Sequence, residues 1–286
     1  MKLSLFTDYG ATNSTTVFDA FSEAAKNMGF SVVFNTFDAD VYVIWSVLWH
    51  GRMAENKTVW KYAKEHHKHV IVLEVGGLIR NKTFKVGLGG INNLAEFANK
   101  ENLIAGRSQQ LGLQLKPWTN TGEHILICGQ HTKSEQWMHR GDPVDWLQSL
   151  VKQIRSLSKR PVIFRPHPRD RAWSIGLHLH HTQIHVPSKL PNTYDDYDFD
   201  NDLNMAWAVV SPSSNPGLQS IINGVPAFVD VDSLAWPVGN QSILEIETPN
   251  RPSRDLWFEQ LCHTEWTVEE IAAGIPLNRL INKINT

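Results

Sequence analysis

The residues best suited to chemistry lie in the stretch VIFRPHPRDR, at residues 162–171. Arg165 offers a forked guanidinium and His167 an imidazole, and both groups donate hydrogen bonds that phosphate oxygens accept. Pro166 and Pro168 flank the histidine and stiffen the backbone, because neither can continue a helix or pair in a central strand. The stretch therefore predicts either a phosphate site or a proline-stiffened surface loop.

A second candidate for anion binding lies about fifty residues further on, in Ser213, Ser214, Asn215 and Gly217. The segment falls between a predicted strand and a predicted helix, where backbone amides and hydroxyl side chains form a ready anion site. Alone it is a weak signal, since Ser and Asn also cap ordinary helices. Both candidates are expected at the carboxyl edge of one sheet, where ligands bind in open α/β folds. Their donors would then converge on one diphosphate.

The elements that must position these residues alternate between strand and helix, which is typical of parallel, doubly wound sheets. A first series of predicted strands covers residues 2–7, 31–34, 41–47 and 69–74, and a helix is predicted over 92–99. After a candidate linker at 114–122 the pattern restarts, with predicted strands at 124–128, 161–165 and 208–210. We therefore predict an α/β fold of the GT-B class, two Rossmann-like domains facing across a cleft.

The expected domains are an N-terminal acceptor domain over 1–116 and a nucleotide-sugar domain over 123–262. A C-terminal helix over 263–286 is expected to pack back on the first domain. Nucleotide-sugar glycosyltransferases and sugar-nucleotide epimerases share the GT-B architecture, so the fold alone does not decide between them.

Carboxylates that end first-domain strands are candidates for acid–base chemistry. Sugar transfer needs a base that takes the proton from the acceptor hydroxyl. Asp8 and Glu74 each follow or close a predicted strand, and His50 is a third candidate. Each carboxylate has a structural alternative, in which it caps a neighbouring loop.

Composition limits the remaining functions. A net charge of −2 argues against general polyanion binding but permits a local basic groove. Two cysteines give no disulfide framework, which favours a reducing compartment. The N-terminal apolar run is too short for a signal peptide, and no run is long enough for a membrane span, so a cytoplasmic protein is expected. Several histidine clusters lack Cys or carboxylate partners at ligand spacing, so no metal site is predicted.

Several motifs together resemble the capsule-polysaccharide-biosynthesis family, whose best-known members are bacterial β-Kdo transferases. The resembling segments occur in the family's order over roughly residues 45–240. They are Trp49-His50-Gly51-Arg52, Glu74-Val75-Gly76-Gly77-Leu78-Ile79-Arg80, Gly129-Gln130, Arg165-Pro166-His167-Pro168, and Ser214-Asn215-Pro216-Gly217-Leu218-Gln219 with Gly224-Val225-Pro226.

The resemblance implies roles for individual residues. His167 and Ser214 would touch the donor phosphates and Gln130 would line the cleft. Glu74 is preferred to Asp8 as the base because it lies inside the resembling signature. Gln219 stands where the family has Glu, and Val75 where it has Asp. The resemblance also implies a nucleotide-sugar co-substrate, UDP- or CMP-linked, with no further cofactor.

The acceptor is open on sequence grounds. Arg52, Arg80, Arg169 and Arg171 are expected to edge the cleft and accommodate double-stranded DNA. Small GT-B enzymes of bacteriophages glycosylate hydroxymethylated pyrimidines, so hydroxymethylcytosine in phage DNA is the preferred acceptor. The alternatives are a surface or capsule saccharide acceptor, a sugar-nucleotide 2-epimerase, and a non-catalytic sugar or nucleic-acid binding module.

Overall fold

The computed structural model describes residues 1–174, 182–193 and 196–284. The chain divides into two compact units. Unit 1 comprises residues 1–111 and 259–286, and unit 2 comprises residues 112–258. The chain therefore passes from one unit to the other at residues 111–112 and again at 258–259.

Unit 1 contains a six-stranded sheet, sheet 1, in the order β11-β5-β4-β3-β1-β2. The pairs among β1 to β4 are parallel, whereas β5 pairs antiparallel with both β4 and β11. Its elements are β1 (Lys2–Leu5), α1 (Thr15–Asn27), β2 (Ser31–Phe34), β3 (Val41–Trp45), α2 (Asn56–Glu65), β4 (His69–Val75), β5 (Phe84–Leu88), α3 (Arg107–Gln110), β11 (Glu265–Trp266), α8 (Val268–Ala272) and α9 (Ile275–Ile284).

The central strand β3 explains why sheet 1 carries helices on both faces. All five residues of the strand are buried, as expected of a parallel strand covered on each side. Val43 packs in one core with Phe18 of α1, and Ile44 packs in the opposite core with Val59 of α2. The C-terminal helices α8 and α9 join the α1 side, where Leu277 is fully buried.

Unit 2 contains an all-parallel sheet, sheet 2, in the order β10-β9-β6-β7-β8. Its elements are β6 (His124–Cys128), α4 (Pro143–Leu157), β7 (Val162–Arg165), β8 (Thr182–Ile184), α5 (Phe199–Leu203), β9 (Ala206–Val210), α6 (Asn215–Ile222) and β10 (Ala227–Phe228); the unit boundary falls within α7 (Asp255–Cys262).

The central strand β6 has the same two-sided burial as β3. Ile125 packs with Leu147 of α4, whereas Leu126 packs with Leu203 of α5 on the opposite face. Helix α4 begins where the side chain of Asp142 accepts hydrogen bonds from two backbone N–H groups of its first turn. The predicted α/β class with two Rossmann-like units is confirmed.

One predicted element is wrong. Residues 92–99 form turns and a single bridge between Leu88 and Glu96 instead of a helix. The side chain of Asn92 accepts a hydrogen bond from the N–H of Leu94, and that of Glu96 from the N–H of Ala98. Such local side-chain bonds compete with helical bonds and favour turns.

No helix in the described part of the chain combines the length and apolar character that a membrane crossing requires.

Candidate functional site

The candidate site lies at the carboxyl edge of sheet 2, where the adjacent strands β9, β6 and β7 end side by side. β6 leads into Gln130 and His131, β7 leads into His167, and β9 leads into Ser213 and Ser214. The structure therefore brings the two anion-binding candidates of the sequence to one edge of one sheet.

Gln130 links two of the loops at this edge. Its side chain is buried, and its Oε1 accepts hydrogen bonds from the backbone N–H and the Oγ of Ser213, at 3.2 and 2.8 Å. Its Nε2 donates to the Oγ of Ser134 at 3.0 Å. The carbonyl oxygen of Gln130 accepts from the indole N–H of Trp173 at 2.8 Å. Both its backbone and its amide are thus fixed, which positions Ser213 beside the end of β6.

Two imidazoles lie together at this edge. The rings of His131 and His167 are 5.1 Å apart between centroids and meet edge to face. The Nδ1 of His167 accepts the backbone N–H of Arg169 at 3.2 Å. In the neutral ring the proton therefore sits on Nε2, which makes Nε2 a hydrogen-bond donor. Sequence reasoning selected His167 but missed His131, although the two histidines follow neighbouring strands.

Asp170 is an anion held beside His131. Burial alone would raise the pKa of Asp170, but hydrogen bonds from the backbone N–H groups of Thr132 and Ala172 outweigh it and lower the pKa below its usual value. Its Oδ2 lies 3.4 Å from the Nδ1 of His131. The loops after β6 and β7 are therefore tied to each other through a carboxylate.

The guanidinium of Arg165 is directed at carboxylates. It forms ion pairs with Asp202 and, at 3.1 Å, with Asp198, and Arg165 and Asp202 are both about 5% exposed. Burial alone would raise the pKa of Asp198. The hydrogen bond from the N–H of Ser188 and the charge of Arg165 outweigh this effect, so the pKa lies below its usual value. Arg165 thus anchors the acidic segment around α5, and its predicted role in donor binding stays a prediction.

The first turn of α6 supplies the third part of the site. Ser214 is the N-cap residue, and its hydroxyl contacts that of Ser211 at 2.8 Å. Asn215 opens the helix, and Gly217 packs close to Val229, the residue after β10, where a Cβ would approach the Val229 side chain to 3.2 Å. Gln219, the last of the donor-binding candidates, is half-buried on the same helix.

In unit 1, Glu74 lies on β4 at the carboxyl edge of sheet 1. Its Oε1 accepts the backbone N–H of Val75 at 2.8 Å, and its Oε2 accepts a hydrogen bond from the Oγ of Ser46. Ser46 follows β3 with a φ of 67°, a left-handed conformation that non-glycine residues rarely adopt. The carboxylate is therefore held in a defined orientation at the strand end.

The loop after β4 depends on a residue that sequence reasoning missed. Glu265 is fully buried, and its carboxylate accepts hydrogen bonds from the N–H groups of Gly77 and Leu78 and from Thr83 Oγ1, at 2.7 to 3.0 Å. A Cβ at Gly76 would lie 2.3 Å from both Glu265 Oε2 and the Thr83 carbonyl oxygen. This position therefore excludes any side chain.

The remaining candidates lie at the surface. Asp8 is exposed in a short 3-10 turn, where its backbone N–H bonds to Asn35 Oδ1 at 3.3 Å. The acceptor-binding candidates differ in exposure: Arg52, Arg169 and Arg171 are exposed, whereas Arg80 is half-buried. His50 is also exposed.

Within the described residues, no three His, Cys, Asp or Glu side chains are grouped so that they could hold a metal ion. His178, His180 and His181, which belong to one of the histidine clusters, lie outside the described residues. Cys128 and Cys262 are buried free thiols, and burial raises the pKa of Cys262 to about 12.

No family model and no curated protein matches this sequence. Among solved structures, the chain is similar to two transferases from Thermosulfurimonas dismutans. One is the KpsC β-Kdo 2,4 transferase, with 12% identity, a TM-score of 0.55, and coverage of 92% of this chain and 90% of that one. The other is the KpsC β-Kdo 2,7 transferase, with 14% identity, a TM-score of 0.53, and coverage of 99% of both chains. At such identities the likeness shows the fold, and the GT-B class predicted from the sequence is confirmed.

Proposed function

We propose that this protein is a glycosyltransferase, which moves a sugar from a nucleotide-sugar donor to an acceptor hydroxyl. The observation that carries the proposal is the convergence of hydrogen-bond donors at the carboxyl edge of sheet 2. There, the imidazole of His167 lies at the same edge as the hydroxyl of Ser214 and the first turn of α6, beside Ser213, which Gln130 holds in place. Donors of this kind bind phosphate, and they stabilise the charge that a departing nucleotide develops.

The individual roles follow from the contacts. His167 donates from Nε2 to a donor phosphate, because its Nδ1 is occupied by the N–H of Arg169. Gln130 positions Ser213 through two hydrogen bonds. The proposed base is Glu74, whose carboxylate is oriented by Ser46 and Val75. The co-substrate is a UDP- or CMP-linked sugar.

Two acceptor classes are each supported by a specific observation. The likeness to two β-Kdo transferases supports a saccharide hydroxyl. The exposed side chains of Arg169 and Arg171, directly after the His167 loop, support a hydroxymethylated pyrimidine in duplex DNA. Both fit the same donor site.

The function is tested by incubating purified protein with a panel of nucleotide sugars and each acceptor, and by identifying products by mass spectrometry. We expect a sugar adduct on one acceptor class and free nucleotide in equal amount. His167→Ala should remove the product and leave the protein folded. Nucleotide binding without any product would indicate a binding module, and an isomerised sugar nucleotide without acceptor would indicate a 2-epimerase.

The DNA acceptor has a separate test in the salt dependence of binding. Each displaced phosphate counterion contributes about −0.9 to the log–log slope of affinity against salt. Charge reversal at both Arg169 and Arg171 should flatten that slope. If the wild type does not bind hydroxymethylated duplex at low salt, with or without donor, the acceptor is a saccharide.

A further inference from the structure

His131 lies three residues after the end of β6, and His167 lies two residues after the end of the neighbouring strand β7. Each histidine uses the same local hydrogen bond. The N–H of Lys133 bonds to the Nδ1 of His131 at 3.2 Å, and the N–H of Arg169 bonds to the Nδ1 of His167 at 3.2 Å. In both cases the donor is the amide two residues further along the chain.

This shared bond fixes the tautomer of both rings. An Nδ1 that accepts a hydrogen bond carries no proton, so the neutral imidazole has its proton on Nε2. The two rings lie 5.1 Å apart between centroids, and His131 is only 6% exposed. The loops after two neighbouring strands thus hold two adjacent imidazoles, each with an Nε2–H donor whose orientation is set by backbone.

We propose that His131 is a second imidazole ligand of the donor phosphate. The inference rests on the proposed function and adds a binding residue to the same site. Asp170 supports this placement, because it accepts the N–H of Thr132, the residue after His131, and so ties the loop after β6 to the loop after β7. His131 also comes directly after Gln130, and the side chain of Gln130 accepts a hydrogen bond from the Ser213 hydroxyl.

The alternative is a purely structural role, in which His131 serves only to accept the N–H of Lys133. Two substitutions separate the roles. The amide of Asn reaches the position of Nδ1, so His131→Asn keeps the acceptor for Lys133 and removes the Nε2–H donor. The longer amide of Gln reaches the position of Nε2, so His131→Gln keeps the donor and removes the Nδ1 acceptor.

The experiment is calorimetric titration of the wild type and both variants with CMP and with UDP, next to melting temperatures without nucleotide. A hydrogen bond to a charged group is worth enough that its loss should weaken affinity about ten-fold or more. We expect that loss in His131→Asn, with a melting temperature near wild type. His131→Gln should stay within a few-fold of wild-type affinity.

Three results would overturn the proposal. If His131→Asn binds nucleotide as the wild type does, His131 is not a ligand and the proposed function stands. If His131→Gln loses affinity while His131→Asn keeps it, the histidine acts only through Lys133. If the wild type binds neither nucleotide, the proposed function fails together with this role.

Should His131→Asn fail to fold, nitrogen-15 NMR of the wild type supplies the measurement. The Nε2 resonance of His131, assigned by its disappearance in His131→Gln, should shift on addition of the nucleotide that binds. A resonance that does not move at saturation would overturn the proposal.

Discussion

The carboxyl edges of the two sheets differ in the kind of group that they present. At sheet 2 the edge carries hydrogen-bond donors, the imidazole N–H of His167 and the hydroxyl of Ser214. At sheet 1 the corresponding edge carries the carboxylate of Glu74, an acceptor of hydrogen bonds and of protons. Under the proposed function, the first edge binds the donor phosphate and the second takes the proton from the acceptor hydroxyl.

The two edges also differ in how they are built. The loops at sheet 2 follow β6, β7 and β9 and are held by contacts within unit 2, such as the hydrogen bond between Ser213 and Gln130, 83 residues apart. The loop at sheet 1 after β4 is held by Glu265, which lies 188 residues from Gly77 along the chain. Sheet 1 accommodates this distant segment because β5 and β11 are antiparallel additions to its parallel part. Unit 2 is thus built from one continuous segment, whereas unit 1 is completed by chain that returns after unit 2.

The largest expected effect concerns Glu74, the proposed base at the carboxyl edge of sheet 1. A base acts in the transition state, so its loss lowers turnover and spares the affinity for nucleotide. Glu74→Gln keeps the shape of the side chain, and it should lower turnover roughly 10²–10⁴-fold. Steady-state kinetics and nucleotide titration on the same preparations measure the two quantities.

Asp8→Asn is the matched control, since Asp8 is exposed and its hydrogen bond to Asn35 is made by its backbone N–H. A large loss in Asp8→Asn with a small one in Glu74→Gln would exchange the two roles. If both variants keep turnover within a few-fold of wild type, the base lies elsewhere and His50 is the next residue to test.

The second prediction asks whether Arg165 binds the nucleotide or stabilises the fold through its ion pairs with Asp198 and Asp202. Removing one partner of a buried ion pair leaves an uncompensated charge, which costs about 3–5 kcal/mol. Arg165→Gln should therefore lower the free energy of unfolding by about that amount in a denaturant titration, because Asp198 and Asp202 lose their partner. The further change Asp202→Asn should restore part of the stability. Weaker nucleotide binding at unchanged stability would instead favour the role predicted from the sequence.

The two sheet edges also differ in how well the sequence predicts them. The strands β6 and β7 are short apolar runs, and the residues after them are unusual enough to mark a site. The carboxyl edge of sheet 2 was therefore predictable from the local sequence pattern. Arg165 shows the limit of that reasoning, because the carboxylates that engage it lie 33 and 37 residues away in an acidic segment that resembles a surface loop.

The carboxyl edge of sheet 1 was less predictable. Glu74 could be found, because it closes a strand, but Glu265 lies in a two-residue strand with no pattern of its own. Its role depends on pairing with Lys85 of β5, and that strand falls in a segment with three glycines, at 87, 89 and 90, where no strand was expected. Contacts between such distant segments leave no periodic signal in the chain.

The third prediction compares the glycines that follow a strand at each edge. At Gly76 a new Cβ would lie 2.3 Å from a backbone carbonyl oxygen and from a buried carboxylate oxygen. At Gly129 it would lie 3.0 Å from the Trp173 ring and 3.2 Å from the backbone nitrogen of His167. Overpacking costs about 1–3 kcal/mol, so Gly76→Ala should lose that much in denaturant titration and Gly129→Ala should lose less. Nucleotide binding should weaken only in Gly129→Ala. Equal losses of stability would contradict the tighter construction of the loop after β4.

The smallest effect tests the distant segment that holds sheet 1. His263 is fully buried; its Nε2 accepts the N–H of Ile104 at 2.8 Å, and its Nδ1 donates to the Glu259 carbonyl oxygen at 2.7 Å. Burial, aided by the charges of Arg107 and Arg279, lowers the pKa of His263 below 6.5. Protonation would also break the bond from Ile104.

Because the folded pKa is the lower one, the unfolded chain takes up this proton first as the pH falls. The stability contribution is therefore intact above about pH 7 and declines through about pH 6.5, with a slope of at most about 1.4 kcal/mol per pH unit for one proton. His263→Gln removes the titration, so the wild type should lose more stability than the variant between about pH 7.5 and 5.5, where ordinary carboxylates stay ionised. Denaturant titrations at each pH measure the difference, and parallel curves for the two proteins would show that the ring does not sense pH.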